Sequence, residues 1–141
     1  MTGRTVPKIP EGFEKAPARG PFADANGPVW RKPGQDGTSP VFGLMPETRH
    51  TNALGFMHGG MIATFSDGAM AQSVYERHRC RLVTLALNIS YQHVIPRGRW
   101  VEAHVMLGEA IDDRVQAEAR LICRKTVCAV ATGEFQLFPQ K

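Results

Sequence analysis

The clearest regularity along the chain is a two-residue alternation in "VTLALNISYQHV". Val83, Leu85, Leu87, Ile89 and Tyr91 alternate there with Thr84, Ala86, Asn88, Ser90 and Gln92. A period of two predicts a strand with one buried face. Three further runs follow, "WVEAHVMLGEAI", "VQAEARLICR" and "VCAVATGEFQLF", separated by "PRGR", "DDR" and "KT". Long runs joined by such short connections predict an antiparallel meander. Upstream, "GPVWRK" and "PVFGLMP" flank the turn-forming "PGQDG" and read as two short strands, with "ETRHTNALGF" after them as loop.

A different period governs residues 59 to about 77. Ile62, Phe65, Ala69 and Met70 fall near one helical face, with Met61, Val74 and Tyr75 beside them. Ala63, Ser66, Gly68, Ala71 and Ser73 keep the rest of the segment small. A helix this apolar and slim has to be enclosed on several sides. The pattern predicts an α+β fold, a curved antiparallel sheet folded around one long central helix. Residues 1–24, rich in Pro, Gly and charge, read as an N-terminal arm, and residues 25–141 as a single domain without internal repeats.

Composition narrows the class. The chain has 141 residues, of which 43% are hydrophobic, enough for one core. No apolar stretch approaches the ~18 residues that cross a bilayer, and the N-terminus lacks the apolar region of a secretory signal. A cytoplasmic protein with no membrane role is expected. Cys80, Cys123 and Cys128 form no CxxC pair, so small core residues are expected rather than disulfides. The formal charge of +4 is not gathered into a dense Lys/Arg block, which argues against nucleic acid as a partner. The five histidines lack metal-ligand spacing, and no metal is expected.

The chemistry concentrates in "NALGFMHGGMIATFSDGAMA", residues 52–71. Gly59 and Gly60 open the helix, where backbone N–H groups have no intrahelical partner and carry the positive end of the dipole. Without a Cβ in the way, an anion, or an oxygen becoming anionic, can approach those donors; equally, two glycines can simply make a tight turn. His58 can contact a ligand there or brace its own loop, and Asn52 can donate to a carbonyl or pin a turn. Asp67 among Phe65, Ala69 and Met70 is harder to explain structurally, because an unpaired buried carboxylate costs several kcal/mol. Seven residues separate Gly60 from Asp67, about 10 Å along a helix. One chain therefore cannot bring Asp67 to a carbonyl held at its own helix start. Two helices packed antiparallel can, with Gly68 and Ala71 permitting close approach, so a homodimer with composite sites is expected.

The Asn52-x5-His58-Gly59-Gly60-x6-Asp67 spacing, with "VTLALNISYQHVIPRG" after it, resembles the hotdog-fold acyl-CoA thioesterases of the PaaI-like, phenylacetate-degradation type. The resemblance runs over roughly residues 20 to 138. It implies a five- or six-stranded antiparallel sheet around a long helix, paired into dimers and commonly into dimers of dimers. It also implies hydrolysis of an acyl-CoA, with no cofactor other than the coenzyme A of the substrate. By position, Gly59 resembles the residue whose backbone N–H polarises the thioester carbonyl, with Asn52 and His58 as supporting side chains. Asp67 resembles the carboxylate, given across the dimer, that acts as nucleophile or general base, and Thr84 a hydroxyl that helps place the water. Gly60, Met61, Phe65 and Tyr91 are expected to line the substrate site. Arg97 and Arg99 are expected to meet the coenzyme A phosphates, with Arg77 and Arg79 next. The alternative reading is a hotdog protein that binds an acyl-CoA or acyl-carrier thioester without turning it over.

Overall fold

The computed structural model describes residues 8–140, and in it one long helix lies in the curve of an antiparallel sheet. In chain order the elements are β1 (Glu14–Lys15), α1 (Pro21–Asn26), β2 (Trp30–Lys32), β3 (Val41–Leu44), a 3-10 turn (Thr48–His50), α2 (Gly59–His78), β4 (Arg81–Tyr91), β5 (Val101–Leu107), β6 (Arg114–Cys123) and β7 (Thr126–Phe138). The seven strands run in the order β1-β2-β3-β5-β6-β7-β4. The short strands β1 and β2 carry the sheet beyond the five or six strands expected. Residue 24, the expected end of the arm, lies inside α1.

The meander β5-β6-β7 forms as its pattern predicts. Asp112 and Asp113 at φ 51° and 59°, and Arg124 and Lys125 at φ 51° and 66°, make its two tight turns. Positive φ at both central residues matches the twist of the flanking strands. The second turn thus falls one residue before the expected "KT". The link from β4 to β5 is not a hairpin. Residues 92–100 cross over, and β4 pairs with β7 at the far edge of the sheet.

The alternation in β4 is broken where the sequence is most regular. Thr84 pairs with Phe135 and Ala86 with Glu134, leaving Leu85 as a β-bulge. One extra residue reverses the facing of everything beyond it. The inward residues of β7 are Ala129, Ala131, Phe135 and Leu137, all buried. By register, Leu82 and Thr84 face inward before the bulge, and Leu87, Ile89 and Tyr91 after it. Val83 and Leu85, expected on the inward face with Leu87, Ile89 and Tyr91, are about half exposed.

Helix α2 has two faces. Met61, Ile62, Phe65, Ser66, Ala69, Met70, Ser73 and Val74 are buried against core residues that include Phe135, Leu121, Val101 and Leu44. Ser73 Oγ donates to the Ala69 carbonyl at 2.8 Å, whereas buried Ser66 Oγ has no partner among the described residues. The other face, Ala63, Thr64, Asp67, Gly68, Ala71 and Gln72, is only partly covered. Near its end, Glu76 accepts two hydrogen bonds from Arg31 of β2, at 2.5 and 2.9 Å. Burial raises the Glu76 carboxyl, but the bonds from Arg31 and Gln72 outweigh it and hold the group below its ordinary value.

Candidate active site

The two ends of the expected constellation are built separately. At the start of α2, His58 is the N-cap, and its Nδ1 accepts from the Gly60 N–H at 2.8 Å. A Cβ on residue 60 would stand 3.1 Å from that nitrogen, so glycine there lets the cap close. Gly60's amide is therefore taken by His58, which corrects the expectation of two free donors. The Gly59 N–H has no acceptor among the described residues. Tyr91, carried to the same place by the end of β4, donates its hydroxyl to the Gly59 carbonyl at 2.9 Å.

Asn52 pins its own loop. Its Oδ1 accepts from the N–H groups of Leu54 (3.0 Å) and Phe56 (3.2 Å), and its N–H donates to the Phe56 carbonyl. The Met57 N–H donates to the Ile95 carbonyl and the His58 N–H to that of His50, so the turn is tied to its neighbours on both sides.

Asp67 lies two turns further along α2. It is half-buried on the open face rather than enclosed among Phe65, Ala69 and Met70, which point into the core. Thr84 Oγ1 donates to its Oδ1 at 2.7 Å. Within one chain, what sets Asp67 apart is a placed hydroxyl partner and an open side. Eight residues from Gly59 to Asp67 correspond to about 12 Å of helix, so one chain does not bring these groups together.

A groove of about 1330 Å³ runs along this face, lined by Asp67, Gly68, Thr84 and Leu87. Residues 15–19, 22–24 and 26–29 line it as well, so the groove takes in part of the stretch read as an arm and the residues just after it. Met61 and Phe65 reach it only as floor, being 7% and 2% exposed members of the core. Arg97 and Arg99 do not line it. Arg97 instead bonds Thr48 Oγ1 (3.3 Å) and, through its N–H, the Gly55 carbonyl. The cations that do line it are Lys15, Arg19, Arg49 and Arg81. None of the four carried a sequence signal: Lys15 and Arg19 lie in the Pro/Gly-rich lead-in, Arg49 in the 3-10 turn and Arg81 at the start of β4, and nothing local marks these places as part of a site. Arg79 ends α2 in the left-handed conformation, with its guanidinium 5.9 Å from the Tyr75 ring.

No group of three His, Cys, Asp or Glu side chains among the described residues is placed to hold a metal ion. No helix among them is long and apolar enough to cross a membrane. Cys80, Cys123 and Cys128 are free and buried, and burial pushes the thiols of Cys123 and Cys128 up.

A helix wrapped by a meander, capped by His-Gly-Gly and bearing a hydroxyl-bound aspartate, is a hotdog architecture with a candidate hydrolytic site. The thioesterase superfamily model matches residues 54–130, more than half of the chain, and the protein belongs to that family. A Pseudomonas aeruginosa protein named "Putative esterase PA0474" is 29% identical over 132 residues, covering 92% of this chain and 97% of its own. The fold is also that of a mutant of the phenylacetic acid degradation protein PaaI from Thermus thermophilus. That match has a TM-score of 0.74 and 20% identity, over 84% of this chain and all of the other. The BH2602 protein of Bacillus halodurans, solved with CoA, is similar with a TM-score of 0.65 and 26% identity, over 70% of this chain and 66% of that one.

Proposed function

We propose that this thioesterase-superfamily protein hydrolyses acyl-CoA thioesters in a site shared by two copies of the chain. The observation that carries the reading is the Thr84–Asp67 pair on an open helix face, about 12 Å from the free amide of Gly59. The solved relative with CoA supports coenzyme A as the leaving group.

A second copy answers two further features. Strand β4 is an eleven-residue edge strand exposing Val83, Leu85 and Leu87, whereas the other edge, β1, has two residues. Long apolar edges are covered in stable proteins, and a two-fold pairing of β4 with its own copy covers this one. A Cβ at Gly68 would meet nothing within 4 Å, so the chain itself gives no packing reason for glycine in mid-helix. A neighbouring backbone or a ligand on that face supplies one.

In the reaction, the Gly59 N–H of one protomer donates to the thioester oxygen and stabilises the negative charge that develops there. Asp67 of the other protomer either removes a proton from water, whose oxygen then attacks the carbonyl carbon, or attacks that carbon itself. In the second case water hydrolyses the resulting anhydride. Both routes break the carbon–sulfur bond, protonate the departing sulfur and release acid and CoA. Thr84 holds Oδ1 and leaves Oδ2 to act. His58 and Asn52 serve by shaping the turn that presents Gly59, and Tyr91 by holding its carbonyl. The test is thiol release from a panel of acyl-CoAs by wild type and Asp67→Ala. The reading expects turnover of at least one acyl-CoA and its loss in the variant; equal rates in both refute the role of Asp67.

A further inference from the structure

The segment of residues 19–27, part of which lines the groove with Asp67, is anchored at both ends. At one end, the Arg19 guanidinium stacks over the Tyr75 ring of α2 at 4.2 Å. At the other, three successive carbonyls at the close of α1 are held by one pair of neighbours. Arg49 donates to the carbonyls of Ala25 and Gly27, and His50 Nε2 bonds the Asn26 carbonyl at 2.9 Å. His50 is 2% exposed and its Nδ1 accepts from the Glu47 N–H at 3.0 Å, so the imidazole is the neutral tautomer with its proton on Nε2. Its own carbonyl accepts from the N–H of His58, the cap of α2. The groove wall, the 3-10 turn and the Gly59 turn are therefore linked in series.

Between the anchors lies Phe22. Helix α1 buries none of its residues, and Phe22 is 66% exposed while lining the groove. A ring two-thirds exposed and outside the buried core adds little to the fold of the chain. From the same stretch Ala18, Ala23, Pro28 and Val29 also line the groove, beside the polar Arg19, Asp24 and Asn26. The apolar part of this surface, Phe22 foremost, suits the hydrocarbon of an acyl group.

We infer that the groove-lining residues between Ala18 and Val29 form the specificity wall of the acyl-binding groove, with Phe22 its contact to acyl groups large enough to reach it. The inference rests on the acyl-CoA thioesterase reading above. Apolar contact of one ring discriminates between substrates by what it adds to the larger one, and even one methylene in a pocket is worth about tenfold or more.

The experiment is kcat/KM for acetyl-, hexanoyl-, decanoyl- and phenylacetyl-CoA with the full-length wild type, Phe22→Ala and Phe22→Leu. Dimer mass is measured alongside. In Phe22→Ala, the ratio of the best larger substrate to acetyl-CoA is expected to fall about tenfold or more, with Phe22→Leu between. A uniform change across the series, an unchanged ratio, or dissociation of the assembly would overturn the wall assignment while leaving the thioesterase reading intact. A wild type that turns over none of the panel would remove both.

Discussion

Thr84 Oγ1 donates to Asp67 Oδ1 at 2.7 Å, from the last inward-facing position of β4 before Leu85 bulges out of the ladder. A hydrogen bond to a charged group contributes about 1.5–3 kcal/mol. If it sets the direction of the free carboxylate oxygen, Thr84→Val lowers kcat about tenfold or more, while Thr84→Ser stays near wild type. Steady-state kinetics on one accepted acyl-CoA, with thermal melts of each variant, distinguishes this from a general loss of fold.

Gly68 gives a second test. In the chain alone its replacement by Ala meets open space, and helix propensity favours Ala by about 1 kcal/mol. With a second helix or a bound substrate on that face, the added methyl obstructs. Gly68→Ala is expected to weaken the dimer, measured by sedimentation of dilute samples, or to raise KM. A variant that is simply more stable, with unchanged assembly and kinetics, removes the close approach.

His50 carries a pH signature. Burial is the main cause holding its imidazole below the ordinary 6.5; Arg49 adds to it, while the bond to Asn26 and the charge of Glu47 oppose it. Between that ordinary value and the lower folded one, the unfolded chain binds a proton that the native chain does not. Stability from this group is therefore complete above about pH 6.5 and is lost as the pH falls toward the folded value. Urea midpoints measured on going from neutral to mildly acidic buffer are expected to fall in wild type and to fall less steeply in His50→Gln. Parallel curves for the two proteins contradict this account of His50.

Most of the architecture is legible in the pattern of the chain. The helix over 59–78 and the three-strand meander follow from periods of 3.6 and 2, and these are long enough to outweigh local noise. The bulge at Leu85 is not legible, because an extra residue inside an apolar run leaves the letters alternating while the faces reverse. The crossover at 92–100 is likewise hidden, since a short Pro/Gly connection looks the same whether or not the strands it joins are neighbours. The pairing of His58 with Gly60 is a local cap that the sequence allows but does not choose over ligand contact. Arg19, Phe22 and Arg49 escape a reading of the letters for another reason. Arg19 meets Tyr75, Arg49 meets Gly27, and Phe22 shares a groove with Asp67, all far apart along the chain, and no periodicity records such neighbours.

The central claim is that Gly59 and Asp67 act across two chains, and mixed dimers test it most directly. Asp67→Ala and Gly59→Val chains, each inactive alone, are combined in equal amounts and exchange of subunits is verified. A two-fold dimer with composite sites then regains about a quarter of wild-type thioesterase activity, because half the dimers are hybrid and each hybrid keeps one intact site of two. Verified hybrids with no activity above the parents would contradict the account.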